Sequence, residues 1–589
     1  MKRTIFAIIL LSLTTTFAQE FNYNKDEIFR AMKDEIDRSM EKLQLESLEK
    51  PYYIAYTLRL RKSSSIKSAY GSVTDSSSFM FASVNVDLRV GDYKLDNSNF
   101  FDVGLGFFGS TDDEEVFKNR RIPYELSYNT LRRELWLATD AAYKQNSEIF
   151  SKKLSVMQNR VQKDTTHDFL KVEAQKNINI KEIPNFDMKK NSDLLNTLSA
   201  IFKEYKDIYN STVSMEFIPE ITFYLNSEGM EYVNTEYYTG VELACFTQNE
   251  DGMPLGNFYA TFSDTPENLP TLDSLKKAVH YTAKILSENS KAQTIEEPYS
   301  GPVIFEGQAA AELVAQVFAP QLVTVRSPMS EGGVSTDNRN SAFQNKIGGR
   351  VLPEFLSLKA VPTMKNWANT SLLGYFTIDD DGLKARDVEL VKNGFLKTLL
   401  SDRVPTRRVK QSTAHKRGGA PMYSTLQLTS ERTKALDDKK LQEKMLKLVK
   451  DRELPYGIVI TRIINQNVMF TTLYRTSGGL FQIPRGDGKL AVAEAYKVYP
   501  NGKRELIRGA EVNNLSVALF KDILWTGKES YAHNLLASSI VSSFISGGDQ
   551  YVGASIITPD LLFEDVEVKS IEGSFQKPPV ISNPLSEGK

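Results

Sequence analysis

Hydrophobic residues recur every three or four positions in several parts of the chain, which is the period of helices that pack one face against a core. The segments with this pattern are residues 24–49, 124–157, 192–206, 273–288, 434–451 and 530–546. Asn24 is followed three residues later by Glu27, an arrangement that resembles a capping box and predicts that the first helix begins there. His280 lies about 140° around its helix from the inward-facing Leu275, so we expect its imidazole to be exposed.

Other segments alternate between hydrophobic and polar residues, or carry β-branched and aromatic residues between turn signals, as strands do. They are residues 52–61, 79–90, 213–262, 350–358, 373–379, 386–391 and 395–400, with a closing pair of strands at 554–568. The Ser-rich stretch 62–78 is predicted to be a loop or the tip of a hairpin, and 226–229 a hairpin turn. The mixture of both periods predicts an α+β protein.

Residues 309–319 are almost entirely apolar and rich in alanine, which predicts a buried helix. Gly307 opens this segment and Pro320 ends it. Its two polar residues, Glu312 and Gln316, are four positions apart and therefore share one face of the helix. Two interpretations remain open at this point: Glu312 is a satisfied carboxylate in a core helix, or the polar stripe belongs to an active site.

The chain is too long, at 589 residues, to form a single hydrophobic core. Its polar stretch 289–300 marks the boundary between an N-terminal and a C-terminal half, and the Pro- and Ser-rich end is predicted to be disordered. The predicted division is a signal peptide at 1–18, an N-terminal domain at 19–110, a middle α+β domain at 111–295, a C-terminal domain at 296–575 and a tail at 576–589.

The N-terminus has the features of a secretory signal peptide. Lys2 and Arg3 precede an apolar run at 5–13, and Ala18 is a plausible cleavage point. The apolar run is too short to span a bilayer, and no later run is long enough, so the mature chain is expected to be exported, periplasmic or extracellular, and soluble. Cys245 is the only cysteine, so no disulfide can form within the chain, and we expect it to be a buried core residue.

Composition and motifs exclude several classes of function. The formal charge of −2 gives no reason to expect nucleic-acid binding. No two of the four histidines are within helical reach and no H-E-x-x-H occurs, so a histidine zinc site is not indicated, although a carboxylate metal site stays open. The chain has no P-loop, G-x-G-x-x-G or G-x-S-x-G motif. Ser64 and Lys67 match the Ser-x-x-Lys pattern of a Ser/Lys dyad, but they lie in a Ser-rich stretch that is expected to be exposed.

Two charged stretches stand out in the C-terminal half. The acidic turn at 379–382 fails the spacing of an EF-hand, because Thr377 and Val388 occupy the first and last ligand positions, and it is predicted to be a hairpin turn. The run at 403–417 contains basic side chains and no acid: Arg403, Arg407, Arg408, Lys410, His415, Lys416 and Arg417. It is either a solvated loop or a flexible arm that grips the carboxylates of a peptide.

Several stretches, read in order, carry a resemblance to a known family. They are RVGDYKLDNSNF at 89–100, GPVIFEGQAAAELVAQ at 301–316, LLGYFTIDDDGLKARDVELVKNGFLKTLLSDR at 372–403, AHKRGGAPMYS at 414–424 and GGDQYVGASIITPDLLFEDVEV at 547–568. The chain resembles the TldD/PmbA family of zinc metallopeptidases, also called modulator of DNA gyrase, over most of its mature length.

In active members of that family the buried helix carries H-E-x-x-x-H, and a later cysteine is the third zinc ligand. The resemblance places the histidines at Ala311 and Gln316 and the general base at Glu312, and no cysteine follows Cys245. The spacing of the two histidines implies a local π-like widening of the helix in active members. Because alanine has no ligand atom and a glutamine amide is a poor zinc ligand, no zinc is expected here.

The resemblance therefore implies a degenerate member. The expected fold is α+β, with long helices and antiparallel strands in the N-terminal half and a β-rich, barrel-like C-terminal domain around the helix at 307–319. The chain is expected to be a non-catalytic subunit that forms a peptide-binding chamber with a homologous TldD-type subunit, as a heterodimer or a homodimer. Its candidates for binding peptide are Glu312, Gln316, Arg403, Arg407, Arg408, His415, Lys416 and Arg417.

Two alternatives to a non-catalytic subunit stay open. One is an active metallopeptidase that degrades unfolded peptides with an atypical metal site or another nucleophile. The other is a stand-alone peptide-binding module. Neither nucleic-acid binding nor membrane insertion is expected in any of the three cases.

Overall fold

The structure is a computed structural model, and it describes residues 21–45, 48–101, 120–158, 165–330, 342–465, 467, 488–541, 548–581 and 584. The predicted signal peptide lies outside the described residues. The N-terminal half contains the helices α1 (Lys25–Lys42), α2 (Tyr128–Gln158), α3 (Met188–Ala200) and α4 (Leu272–Asn289). Its strands are β1 (Pro51–Ala69), β2 (Ser72–Val90), β3 (Phe100–Phe101), β4 (Arg120–Ile122), β5 (Lys176–Asn179), β6 (Asn210–Asn226), β7 (Glu231–Gln248) and β8 (Pro254–Ser263).

The N-terminal sheet orders its strands β4-β2-β1-β6-β7-β5, with β8 also paired to β7. Strands β1 and β2 form a long hairpin, so most of the predicted loop at 62–78 is strand and the turn is confined to Tyr70 and Gly71. The serines fit because they pair across the hairpin: the hydroxyl oxygens of Ser64 and Ser78 are 3.0 Å apart. The buried Ile66 supplies the apolar side of this stretch.

Helix α1 begins where the sequence predicts. The side chain of Asn24 accepts the backbone N–H groups of Asp26 and Glu27, each at 3.2 Å. The capping box itself is not formed, because the Glu27 carboxylate instead accepts the backbone N–H of Tyr128 at 2.8 Å. This bond joins the start of α1 to the start of α2.

All four of these helices cover one face of the sheet. Leu58 packs with α1 and α2, and Ile66, eight residues further along β1, packs with α3 and α4. Because alternate residues of a strand share a face, both clusters lie on the same side. Cys245 belongs to the second cluster and is fully buried, as predicted, and His280 on α4 is exposed, as predicted. The other face of the sheet packs against the C-terminal half through two small apolar clusters, around Phe246 and around Tyr53, and through a polar region that contains Arg59 and Arg61.

The C-terminal half contains the helices α5 (Gln308–Leu313) and α6 (Asp438–Asp451). Its strands are β9 (Tyr299–Phe305), β10 (Met329–Ser330), β11 (Leu356–Ala360), β12 (Asn366–Trp367), β13 (Thr370–Ser371), β14 (Val388–Lys392), β15 (Phe395–Leu396), β16 (Lys416–Arg417), β17 (Ala420–Pro421), β18 (Thr425–Ser430), β19 (Ala435–Leu436), β20 (Gly457–Ile463), β21 (Leu490–Val498), β22 (Arg504–Leu506), β23 (Ala510–Asn513), β24 (Ile523–Ser538) and β25 (Tyr551–Ser570).

In the described part of this half, five strands close into a barrel. The order is β25-β23-β21-β20-β9, and β9 pairs back with β25. Strands β18 and β24 also pair with β25, so this strand joins the barrel to the rest of the sheet. Helix α5 packs against β20, β24 and β25. The predicted α+β class and the barrel-like C-terminal domain around a buried helix are confirmed.

Three predicted elements of the C-terminal half are wrong. Residues 523–538 form the strand β24 and not a helix from 530, and the predicted pair at 554–568 is the single strand β25. Residues 533–537 are buried without interruption, which hides the period of two that marks a strand. Pro559 is tolerated within β25 because the pairing with β24 is irregular beside it. Residues 373–379 contain only an isolated bridge at Ile378.

The acidic turn at 379–382 is confirmed as a tight turn, in which the backbone N–H of Gly382 donates to the Asp379 carbonyl at 2.9 Å.

The large N-terminal sheet draws strands from both predicted segments 19–110 and 111–295, and the domain boundaries themselves stay a prediction. Among the helices of the described residues, none combines the length and apolar character that crossing a bilayer requires.

Candidate functional site

The helix that carries Glu312 is fixed at its start by two contacts. Gly307 precedes α5 with φ of +51°, and its backbone N–H donates to the Asp560 carboxylate on β25 at 2.7 Å. Burial raises the pKa of Asp560 to about 6. The side chain of Gln308 then makes two bonds to the backbone of Ile463 on β20, at 2.8 and 3.0 Å. These bonds hold the first turn of α5 between two barrel strands.

The helix widens immediately after Glu312. Residues Val314–Phe318 form a π-helical turn, followed by a 3₁₀ turn at Ala319–Leu322 that contains Pro320. The resemblance implied such a widening in active family members, and this chain has it although Ala311 and Gln316 occupy the histidine positions. In the widened turn the Gln316 amide reaches back to Glu312, with Nε2 and Oε2 2.9 Å apart. Single π turns within helices are rare and are frequent at functional sites.

The carboxylate of Glu312 is fully buried and receives hydrogen bonds from three side chains. The Gln316 amide donates to Oε2, and the Asn465 amide donates to Oε1 and Oε2 at 3.0 and 3.2 Å. Nε2 of His533 lies 2.8 Å from Oε1. The amide of Gln316 also donates to the Ile464 carbonyl at 3.0 Å. Such contacts offset the cost of burying a carboxylate, which is prohibitive without them.

His533 lies near the edge of this cluster. Its residue is 8% exposed, and the ring of Tyr531 stacks on it with the centroids 6.1 Å apart. On the inner side, the Tyr423 hydroxyl donates to the Ala315 carbonyl at 3.2 Å, and burial together with the nearby Glu312 raises the pKa of Tyr423. We call Glu312, Gln316, Asn465 and His533 the Glu312 cluster.

Sequence reasoning identified Glu312 and Gln316 but missed their partners. His533 is 221 residues away from Glu312 in the chain, and the sequence pattern predicts a helix for the segment that holds it. Asn465 follows β20 directly, in a stretch without a motif. No local signal marks either residue, because only the tertiary fold, with β20 in the barrel and β24 paired to β25, brings both strands to the same helix.

The Glu312 cluster does not fit zinc. Ala311 offers no ligand atom, and both polar contacts of the Gln316 amide nitrogen are made within the protein. Of the cluster, only Glu312 and His533 are of types that zinc prefers, and they bond to each other. Across the residues the structure describes, no group of three or more His, Cys, Asp and Glu side chains is arranged to hold a metal ion. The cluster therefore contains a buried carboxylate whose oxygens accept hydrogen bonds from side chains of the same protein.

The basic run at 403–417 is largely packed into the protein. Arg403 is fully buried, and its guanidinium donates to the Leu170 carbonyl and lies 2.8 Å from the Glu228 carboxylate. It also stacks over the ring of Phe169 at 4.1 Å. In contrast, Arg407 and Arg408 are exposed. The expected flexible arm is therefore reduced to the short stretch around these two residues.

The end of the basic run lies in the interface between the two halves. His415 is fully buried and its Nδ1 lies 2.8 Å from the Thr413 carbonyl. Lys416 pairs with Asp381 at 2.8 Å. Arg417 donates to the Gly553 carbonyl at 2.6 Å on β25.

A cleft of about 270 Å³ lies between the polar face of the N-terminal sheet and the C-terminal half. Arg59 and Arg61 line it from β1, and Asp549 and Arg417 from the other side. Arg61 lies 2.7 Å from Asp549. Although burial opposes it, the two β1 arginines lower the pKa of Asp549. Of the predicted peptide-binding residues, Arg417 lines this cleft, whereas Glu312 lies outside the set of described residues that line it.

A family comparison defines the class of this chain. Residues 298–570 match the family model described as the PmbA/TldA metallopeptidase C-terminal domain. The match covers the barrel, α5 and the strands that carry the Glu312 cluster. The C-terminal domain therefore belongs to the TldD/PmbA family, and the family inferred from the sequence is confirmed for this part of the chain. Among curated proteins, none matches the chain.

Solved structures share the fold over nearly the whole chain. One is a candidate modulator of a DNA gyrase from Thermotoga maritima, with 15% identity, a TM-score of 0.57, and 92% of this chain and 100% of that chain covered. TldE from Thermococcus kodakarensis has 14% identity and a TM-score of 0.53, with 92% and 100% covered. A candidate modulator of DNA gyrase from Bacteroides thetaiotaomicron has 13% identity and a TM-score of 0.53, with 93% and 99% covered.

Proposed function

We propose that this chain is a non-catalytic subunit that forms a peptide-binding chamber with a homologous, catalytically active family member. The observation that carries the proposal is the Glu312 cluster. A general base must be free to take a proton from a bound water, and the Glu312 carboxylate is instead occupied by Gln316, Asn465 and His533. Glu312, at the position of the family's catalytic glutamate, therefore holds α5 against β20 and β24.

The role in peptide binding is supported by the cleft between the two halves. Its walls combine the paired charges of Arg61 and Asp549 with the aromatic Tyr232 and Tyr238 and the amide of Asn234. Such a surface offers donors and acceptors to a peptide backbone together with apolar ring faces. Arg417 adds a cationic group at the same wall.

Metal content and peptidase activity test the catalytic part of the proposal. The purified mature protein, a Glu312→Gln variant and a Glu306→Gln control are compared, because Glu306 precedes the same helix and is partly exposed. We expect no stoichiometric zinc and no hydrolysis of an unfolded peptide in any of the three. Zinc and activity that are lost in Glu312→Gln and kept in the control would establish the alternative, an active metallopeptidase with an atypical metal site.

Co-purification from the native host tests the subunit part. We expect a homologous partner that carries the complete H-E-x-x-x-H sequence, in a hetero-oligomer. Recovery of this chain as a monomer that binds peptide would instead favour the stand-alone peptide-binding module. A homodimer would leave no active subunit in the assembly and would contradict the proposal.

We also propose that the chain is exported. The support is the sequence pattern of residues 1–18, and the mass of the mature protein from the native host tests it. A mass that begins at Gln19, in a periplasmic or extracellular fraction, is expected. A full-length chain in the cytoplasmic fraction would contradict export.

A further inference from the structure

A second cavity, of about 380 Å³, lies beside the cleft along the same face of the N-terminal sheet. Its volume is in the range of pockets that bind small groups. Arg59 and Asp380 line both spaces, and their ion pair, at 3.9 Å, stands between them. We call this space the acidic cavity. The sheet contributes Asp87 and Arg89 to its wall.

The acidic cavity holds more carboxylates than cations. Each of its three cations faces an aspartate: Arg59 faces Asp380 at 3.9 Å, Arg89 faces Asp87 at 3.3 Å, and Lys416 faces Asp381 at 2.8 Å. The fourth aspartate of the wall remains outside these pairs.

That fourth carboxylate is Asp402. It is 8% exposed, and within the described residues it has no ion pair. Its Oδ1 accepts the backbone N–H of Val404 at 2.8 Å. Burial, and then the nearby charge of Asp381, raise the pKa of Asp402 to about 6, although Lys416 and Arg89 oppose the rise. A buried carboxylate without a counter-ion favours a site for a positive charge.

A second observation points the same way. Asp381 is 2% exposed, and its Oδ1 accepts the bond from Lys416. Its Oδ2 is buried and, among the residues the structure describes, has no hydrogen-bond partner. Buried polar atoms are paired in the great majority of cases, so an unpaired carboxylate oxygen in the wall of a cavity indicates a missing donor. A ligand that brings N–H groups and a positive charge would satisfy both Asp381 and Asp402.

We propose that the acidic cavity binds the primary ammonium group of a peptide, either its N-terminus or a lysine side chain. The ammonium would donate to Asp381 Oδ2 and balance the charge of Asp402. A metal ion fits less well, because the described residues contain no group of three or more His, Cys, Asp and Glu side chains placed to ligate one. The inference rests on the proposed function in taking its ligand to be a peptide, which would run past Arg59 into the cleft.

Fluorescence anisotropy with the mature chain at pH 7.5 tests the ammonium site. The probes are short unstructured peptides of Gly, Ser and Ala with a C-terminal fluorophore: one with a free N-terminus, one N-acetylated, and one N-acetylated with a single lysine. We expect at least one of the two peptides that carry an ammonium group to bind about tenfold or more tightly than the N-acetylated peptide without lysine. The source that restores binding, N-terminus or lysine, identifies which ammonium the site accepts.

Variants connect the effect to the acidic cavity. Asp381→Asn and Asp402→Asn should each remove the difference between free and acetylated peptides. The control Asp387→Asn, an exposed aspartate of the same segment, should keep it. Equal binding of all three peptides by the wild-type chain would overturn the ammonium site and leave the peptide-binding function standing. If no peptide binds and Nα-acetyl-lysine methylamide does not stabilise the protein thermally, both the ammonium site and the peptide-binding function would be overturned. If this small amine stabilises the protein but no peptide binds, the ammonium site would be supported and the peptide-binding function contradicted.

Discussion

At the scale of single residues, the most informative position is Glu312. Burying a carboxylate costs far more than one hydrogen bond returns, so such a residue persists only where several donors converge on it. Here Gln316 comes from the same helix, Asn465 from the end of β20 and His533 from β24. The sequence predicted the pair on one helix face, because helical spacing is local. The other two donors are contributed by the tertiary structure, and their positions in the sequence carry no spacing rule.

Replacement of Glu312 by alanine should reduce the free energy of unfolding by roughly 3–5 kcal/mol, because the buried donors of Asn465 and His533 lose their acceptor and Gln316 keeps only the Ile464 carbonyl. Urea denaturation of the purified mature chain measures this loss. Glu306→Ala is the control, and we expect a loss of less than about 1 kcal/mol because Glu306 is partly exposed in its pair with Arg504. Equal losses for both variants would show that the donors around Glu312 find other partners.

A pH effect is expected at His415. Burial lowers the pKa of this imidazole to about 4, and Nδ1 is bonded to the Thr413 carbonyl, while among the described residues the buried Nε2 has no partner. In the unfolded chain its pKa is about 6.5. Between these values the unfolded state binds the proton and the folded state does not. The stability from the neutral imidazole is therefore present above about pH 6.5 and is lost as the pH falls toward 4.

The variant His415→Asn keeps a donor for the Thr413 carbonyl and removes the titration. Between pH 7 and pH 5 the wild type should lose about 2 kcal/mol more free energy of unfolding than this variant. Urea denaturation at the two pH values measures the difference. His280→Asn is the control, because this histidine is exposed, and it should follow the wild type. Parallel pH dependence of His415→Asn and the wild type would contradict a buried neutral imidazole.

At the scale of elements, local signals predicted most helices and most N-terminal strands. Helix α4 and the hairpin at 226–229 were predicted within a few residues, because amphipathic period and turn chemistry are local. The sequence pattern predicts a helix where strand β24 lies, because a strand that is buried on both faces shows no alternation of hydrophobic and polar residues. The sequence predicts a loop or a hairpin tip for the Ser-rich arm of β1 and β2, because serine has a weak strand preference, whereas pairing across the hairpin holds these serines in strands.

The start of α5 depends on one glycine. Gly307 has φ of +51° and ψ of −114°, and a Cβ at this position would meet no atom within 4 Å. Gly307→Ala should therefore destabilise by backbone strain alone, by about 1–2 kcal/mol. Gly307→Asn should lose less, because asparagine tolerates positive φ better than alanine. Thermal denaturation compares the two, and a larger loss for asparagine would show that crowding and not backbone strain limits this position.

At the scale of the whole molecule, the two halves meet through buried charges as well as through two small apolar clusters. The polar face of the N-terminal sheet carries Arg59 and Arg61, which the alternation along β1 placed on one side. What the sequence could not show is that the opposing wall is built from residues within the segments 365–381, 402–419 and 549–553. The sequence predicts a solvated loop or a flexible arm for the basic run, because charge alone does not distinguish an exposed cation from a buried one that has partners.

Arg403 forms a buried ion pair between the halves, and its replacement should weaken their coupling. It is fully buried, pairs with Glu228 at the β6–β7 turn and stacks on Phe169. Arg403→Met keeps most of the side-chain volume and leaves Glu228 buried without a counter-ion, which should cost roughly 3–5 kcal/mol. Because that loss weakens the interface, the two halves should unfold separately in the variant. Probes in the N-terminal and C-terminal halves should then report two transitions in place of one shared transition. Arg407→Met, at an exposed position of the same run, should keep the single transition. A single, uniformly lowered transition in Arg403→Met would mean that the two halves remain coupled without this ion pair.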